Sequence, residues 1–143
     1  MTTEEVKKIL KNASEAVRAY RLARDKANNY GELLSGGKGI RYDSDGGTHE
    51  RKGNPVENAY CVLADYQTEA HELFVKMNEA RQTAEKLIAS VSDLAQREVL
   101  TRRYIIGERW EDIAVCMNFS ARRIYQIHGY ALKNISLNFT IHL

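Results

Sequence analysis

The sequence predicts an all-α chain: a long antiparallel, coiled-coil-like helical hairpin followed by a C-terminal trihelical helix-turn-helix domain. Three observations carry this expectation. Val6, Ala13, Tyr20, Ala27 and Leu34 recur every seven residues, with Ile9, Ala16, Ala23 and Tyr30 between them, which is a heptad seam. From Ala59 to Val91 the residues Leu63, Tyr66, Ala70, Leu73, Met77, Ala80, Ala84 and Leu87 follow in unbroken steps of four and three. Near the C-terminus, Asn118-Phe119-Ser120 interrupts the apolar rhythm between two periodic stretches.

Taken in order, Thr3 or Thr2 can cap a first helix whose opening turn carries Glu4 and Glu5, favourable to the helix dipole. This helix is expected to end near Ser35, at Gly36-Gly37. Residues 36–54 hold six of the nine glycines and no apolar period, so they read as a flexible connector. Lys38, Arg41, Arg51 and Lys52 are cations in that loop, offset by Asp43, Asp45 and Glu50. Pro55 suits the first turn of a second helix, about 50 Å long at 1.5 Å per residue. Residues 55–91 are net acidic and residues 1–35 net basic, so the two helices should pair with complementary charge, within one chain or between copies.

Ser92 and Asp93 break or cap the chain before a third segment, Leu94 to Ile105. Its apolar side is expected to come from Leu94, Val99, Leu100, Tyr104 and Ile105, with Gly107 as the terminator. The expected divisions are a hairpin over 1–91 with its loop at 36–54, a helix-turn-helix domain over 92–135, and a tail over 136–143. The tail, SLNFTIHL, reads equally as a fraying helix end, a strand-like segment or a disordered terminus.

Trp110 to Leu132 is the stretch that points to function. Ile113, Ala114 and Met117 share one face of a short helix. Asn118 stands where the chain must reverse, and Asn enters the left-handed region at low cost. Phe119 is placed to plug the corner, and Ser120 is a good N-cap for a second helix. Ile124, Ile127 and Ala131 recur at helical spacing, and the small Ala114 would let the helices cross closely. If those three face inward, Arg122, Tyr125, Gln126, Gly129 and Lys133 face outward at 100° per residue. Arg and Gln pair two-pronged with guanine and adenine edges. Tyr125 suits a phosphate or a thymine methyl, and Gly129 removes bulk from that face. Arg123 lies to one side and suits a phosphate. From Met117 onward there is no Asp or Glu. The candidate DNA-binding set is therefore Ser120, Ala121, Arg122, Arg123, Tyr125, Gln126, Gly129 and Lys133, in the arrangement by which a second helix enters the major groove.

Composition narrows the alternatives. A net charge of +2 over 143 residues argues nothing by itself. Cys61 and Cys116 have no metal-ligand spacing and are expected to be reduced and partly buried, as in a cytoplasmic protein. His49, His71, His128 and His142 are scattered, and His128 lies at the edge of the buried face as a packed histidine. GGKG lacks the residues of a phosphate-binding loop. No catalytic constellation, metal site or cofactor is expected, and the chain is not read as an enzyme. MTTEEVKKIL does not read as a signal peptide, and no apolar run approaches a membrane span.

The stretch LAQREVLTRRYIIGERWEDIAVCMNFSARRIYQIHGYALKNI resembles region four of bacterial sigma factors, which reads the upstream promoter element. The likeness is greatest at Glu111, Ile113, Ala114, Arg123-Ile124, Gln126-Ile127 and Ala131-Leu132. The whole chain is similar to small regulators of phages and prophages, of the ArpU and RinA late-gene activator type. Where sigma factors commonly have an acid, this chain has Arg122; where they commonly have a base, it has Tyr125. Sigma promoter specificity therefore does not carry over. Trp110 stands where a capping hydroxyl is usual, and no segment resembles those that melt promoter DNA. The resemblance implies a sequence-specific transcriptional regulator, an activator by analogy, with double-stranded DNA and RNA polymerase as partners. The hairpin helices are too long and narrow to bury both faces alone, so a homo-oligomer is expected. The alternatives are a small-terminase-type phage DNA-packaging protein and a coiled-coil protein-interaction adaptor.

Overall fold

A computed structural model describes residues 1–36 and 54–140. The loop cations Lys38, Arg41, Arg51 and Lys52, the histidines His49 and His142, and the last three residues of the expected tail lie outside the described residues. All regular structure among the described residues is helical: α1 (Thr3–Ser35), α2 (Pro55–Ala89), α3 (Leu94–Leu100, continued as a π-helical turn over Thr101–Ile106), α4 (Trp110–Met117) and α5 (Ala121–Thr140). Among the described residues no helix is long and apolar enough to cross a membrane.

The helix ends have local causes. Thr2 Oγ1 accepts from the Glu5 amide at 3.2 Å and Glu5 Oε2 accepts from the Thr2 amide at 2.9 Å, a reciprocal capping box that starts α1. Asn54 Oδ1 accepts from the Val56 amide at 3.0 Å and opens α2. Asp93 Oδ1 accepts from the amides of Ala95 and Gln96 and opens α3. The π-helical turn closes where Gly107 enters the left-handed region at φ 89°, and its amide donates to the Arg102 carbonyl at 3.0 Å. This i→i+5 bond makes the turn wider than an α-turn.

The chain forms two compact units, one of residues 1–18 with 75–143, the other of residues 19–74. In the first, Val6, Leu10 and Ala13 of α1 join Ala84, Leu87 and Ile88 of α2, Leu100 and Tyr104, and Ala131, Leu132 and Ile135 of α5 in one core. Leu10 and Val17 are also buried, so the α1 stripe is broader here than the a/d seam read from the sequence. A second cluster joins Val99 of α3, Ile113 and Ala114 of α4, and Ile124 and Ile127 of α5. Arg97 donates to the carbonyls of Val91 and, at 3.1 Å, Ala89, satisfying acceptors at and beyond the end of α2. In the second unit, Tyr20 meets Phe74 with ring centroids 5.3 Å apart, Lys26 meets Glu69 at 2.8 Å, and Tyr30 meets Tyr66 with centroids 5.4 Å apart. One number rises as its partner falls, so these segments of α1 and α2 run in opposite directions.

Three sequence expectations are corrected. Leu94 is 76 % exposed, because as the first residue of α3 it faces away from Val99 and Leu100. Cys61 and Cys116 are exposed free thiols and not partly buried, because both sit off the apolar stripes of their helices. Phe119 is 41 % exposed and does not plug its corner, since the left-handed residue before it turns the chain outward. Residues 136–140, which the sequence leaves open between three states, continue α5; Asn138 Nδ2 donates to the Ser90 carbonyl at 2.8 Å and Ser136 Oγ donates to the Met1 carbonyl.

Candidate nucleic-acid interface

The candidate interface is built from the corner between α4 and α5. Arg109 occupies the N-cap of α4 with no side-chain capping bond, leaving Glu111 and Asp112 in the first turn to complement the dipole. Ile113 and Ala114 are buried, with Met117 packed partly against them. Asn118 then takes φ 57°, ψ 42°, the left-handed conformation that the sequence predicts. The Phe119 amide donates to the Ala114 carbonyl at 3.0 Å and the Asn118 amide to the Val115 carbonyl at 3.2 Å. That is the pair of bonds that closes a helix through a left-handed residue. Ser120 Oγ accepts from the Arg123 amide at 3.1 Å and starts α5 at once.

On α5 the inward set is Ile124, Ile127, Ala131, Leu132 and Ile135, all buried. Ser120, Ala121, Arg122, Arg123, Tyr125, Gln126 and Lys133 are exposed and Gly129 is intermediate. A Cβ at Gly129 would meet nothing within 4 Å, so packing does not require glycine there. None of Arg122, Arg123 and Lys133 makes an ion pair with a described residue.

An aromatic array that sequence periodicity does not disclose supports one edge of α5. Trp110 lies 5.1 Å from Tyr125 and 4.9 Å from His128, the latter edge-on. The Arg103 guanidinium sits over the Trp110 ring at 4.6 Å, a cation–π contact, and donates to the Glu108 carbonyl at 3.1 Å. His128 is 9 % exposed and its Nε2 lies 2.7 Å from the Tyr104 hydroxyl. Burial, together with the charges of Lys7 and Arg103, pushes the His128 pKa down to about 4. The ring is therefore neutral near pH 7, and in its Nδ1–H tautomer it accepts the Tyr104 hydrogen bond. Burial raises the Tyr104 pKa, against the charge of Arg103. The packed-histidine expectation for His128 thus acquires a specific partner.

Beside this edge runs a groove of about 430 Å³, lined by Lys7, Lys11, Ser14, Glu15 and Arg18 of α1, by Arg103, Tyr104 and Trp110, and by Tyr125 and His128 of α5. The α1 side of the groove was missed in the sequence. The available signal was the spacing of Lys7, Lys11, Ser14 and Arg18, which at 100° per residue share one narrow face. No group of three or more His, Cys, Asp or Glu among the described residues could hold a metal ion. No known protein family matches the chain, and no curated protein or solved structure is significantly similar to it.

Proposed function

We propose that the chain is a sequence-specific DNA-binding transcriptional regulator of phage or prophage genes, acting in the bacterial cytoplasm. In this reading α4 and α5 are a helix-turn-helix like that of sigma region four, α3 completes its trihelical domain, and α1 with α2 forms the hairpin. Its α5 lies in the major groove with Arg122 and Gln126 against base edges, Tyr125 and Lys133 beside them, and Arg123 on a phosphate.

The carrying observation is the corner. A left-handed Asn118 and a Ser120 cap are followed by a helix whose outer strip holds Arg122, Tyr125, Gln126, Gly129 and Lys133. No acidic side chain occurs beyond Asp112 to repel a polyanion. Exposed Leu22, Leu33 and Tyr60 on the long helices support assembly into a homo-oligomer, which would place two such helices on two half-sites. RNA polymerase is a second partner by analogy with the sigma resemblance. Selection of bound sequences from random duplex DNA tests the reading: enrichment of a defined motif supports it, and recovery of unenriched DNA, or of none, rejects it.

A further inference from the structure

The groove between α1 and the Tyr125 edge of α5 holds four cationic side chains, Lys7, Lys11, Arg18 and Arg103, against one carboxylate, Glu15. Among the described residues, no carboxylate lies within ion-pair distance of Lys7, Lys11 or Arg18. A concave strip of like charge with aromatic walls focuses a positive potential and favours an anion. The depressed proton affinity of His128, to which Lys7 and Arg103 both contribute, reports that field from inside the unit.

The position of the groove around α5 says which anion. At 100° per residue, Arg122, Gln126, Gly129 and Lys133 fall within a strip about 60° wide. Tyr125 and then His128 lie on one side of that strip, and Arg123 lies on the other, about 160° around from Tyr125. A helix in the major groove has a phosphate strand on each flank, and that groove is about 12 Å wide. Arg123 faces one flank. The other flank is the cationic groove. A mononucleotide would use only one side of α5, whereas duplex DNA uses both.

We propose that this groove receives one phosphate strand of the duplex, with Lys7 and Lys11 of α1 as its principal phosphate contacts and Tyr125 against the sugar edge. The inference rests on the DNA-binding reading and adds to it that α1 is part of the interface. It assigns α1 no part in base choice, because Lys7 and Lys11 lie outside the reading strip.

The test is fluorescence anisotropy of selected duplex, random duplex and single-stranded DNA over a salt series. It compares the parent chain, the Lys7→Ala/Lys11→Ala variant and Lys86→Ala, a control outside the groove; circular dichroism verifies that each is folded. The double variant is expected to lose affinity for selected and random duplex by the same factor. Its slope of log affinity against log salt should be shallower by about two, at about 0.9 per phosphate contact. Lys86→Ala should match the parent. A double variant with the parent's duplex slope overturns the proposal and leaves the DNA-binding reading standing. So does a loss confined to single-stranded DNA, or an equal loss in Lys86→Ala. A parent that binds no DNA overturns both.

Discussion

His128 is the buried polar side chain among the described residues, and its chemistry makes a pH prediction. In the folded state its pKa is about 4 against 6.5 for a free imidazole, burial being the larger cause. The unfolded chain therefore takes up a proton at this position as pH falls below 6.5, while the folded chain does not until about pH 4. The site's stabilising contribution is complete above pH 6.5 and is lost as pH falls toward 4. Urea midpoints at pH 7 and pH 5 should differ more for the parent than for His128→Phe, which cannot titrate. At pH 7 that variant should itself be weaker by about 1–3 kcal/mol, since the Tyr104 hydroxyl loses its buried partner. An equal pH difference in the two proteins would remove His128 as the cause. The exposed residues of α5 make a different kind of prediction. Arg122→Ala and Gln126→Ala should each cost roughly 1–3 kcal/mol at the selected site and relax its sequence choice. Arg123→Ala should weaken all DNA alike and lower the salt slope by about one. If the first two variants keep the parent's ratio of selected to random binding, α5 does not read sequence.

The α4–α5 corner was legible in the sequence because its determinants are local. Asn118 in the left-handed region, the Ser120 cap and the apolar spacing each act within a few residues, and all three are found in place. The same locality made both ends of α1 and the start of α2 readable from Thr2, Ser35 and Pro55, while α2 stops at Ala89, two residues short of the apolar stripe's last member. Burial was less legible, because it depends on which element arrives from elsewhere in the chain. Leu94 and Phe119 are apolar yet exposed, while Leu10 and Val17 lie outside the a/d seam and are buried. The cationic face of α1 was legible as a spacing, but its pairing with the edge of α5 was not, since the two walls are about a hundred residues apart in sequence. The π-helical turn at Thr101–Ile106 has no period of its own to reveal it. These distinctions can be measured at the corner. Ala114, 9 % exposed, faces Ile124 and Ile127 across the second cluster. Ala114→Glu should cost on the order of 3–5 kcal/mol, the penalty of a buried charge without a partner, and lower the unfolding midpoint of the unit of residues 1–18 with 75–143. Phe119→Ala, a few residues on and exposed, should stay within about 0.5 kcal/mol of the parent. If both variants melt like the parent, the two helices do not pack through Ala114.

The two compact units divide their apolar residues differently, and that difference argues for assembly. The unit of residues 1–18 with 75–143 encloses large aliphatic side chains such as Leu10, Leu100, Ile113, Ile124 and Ile135, each almost wholly buried. Among the described residues of the unit 19–74, the buried apolar residues are Ala23, Ala27 and Ala59. There several larger apolar side chains stay in water: Leu22 is 71 % exposed, Tyr60 54 % and Leu33 49 %. Burying alanines yields little, at about 25 cal/mol per Å² of apolar surface, and two helices alone are a narrow basis for stability. Leu22 and Leu33 occupy positions outside the a and d seam, so a partner from another copy could cover them without disturbing the pairs Tyr20–Phe74 and Tyr30–Tyr66. Sedimentation at micromolar concentration should therefore find a dimer or larger species. Leu22→Asp with Leu33→Asp should shift it toward monomer while preserving helicity, because neither side chain holds its own unit together. Met77→Asp, at a position 6 % exposed, should instead reduce helicity and stability before assembly is considered. A parent that sediments as a monomer would sink the assembly argument, and so would a double aspartate variant that assembles like the parent. In the second case the covering surface would have to lie on the other faces of α1 and α2, where Tyr60 and Phe74 are the remaining large exposed side chains of that unit.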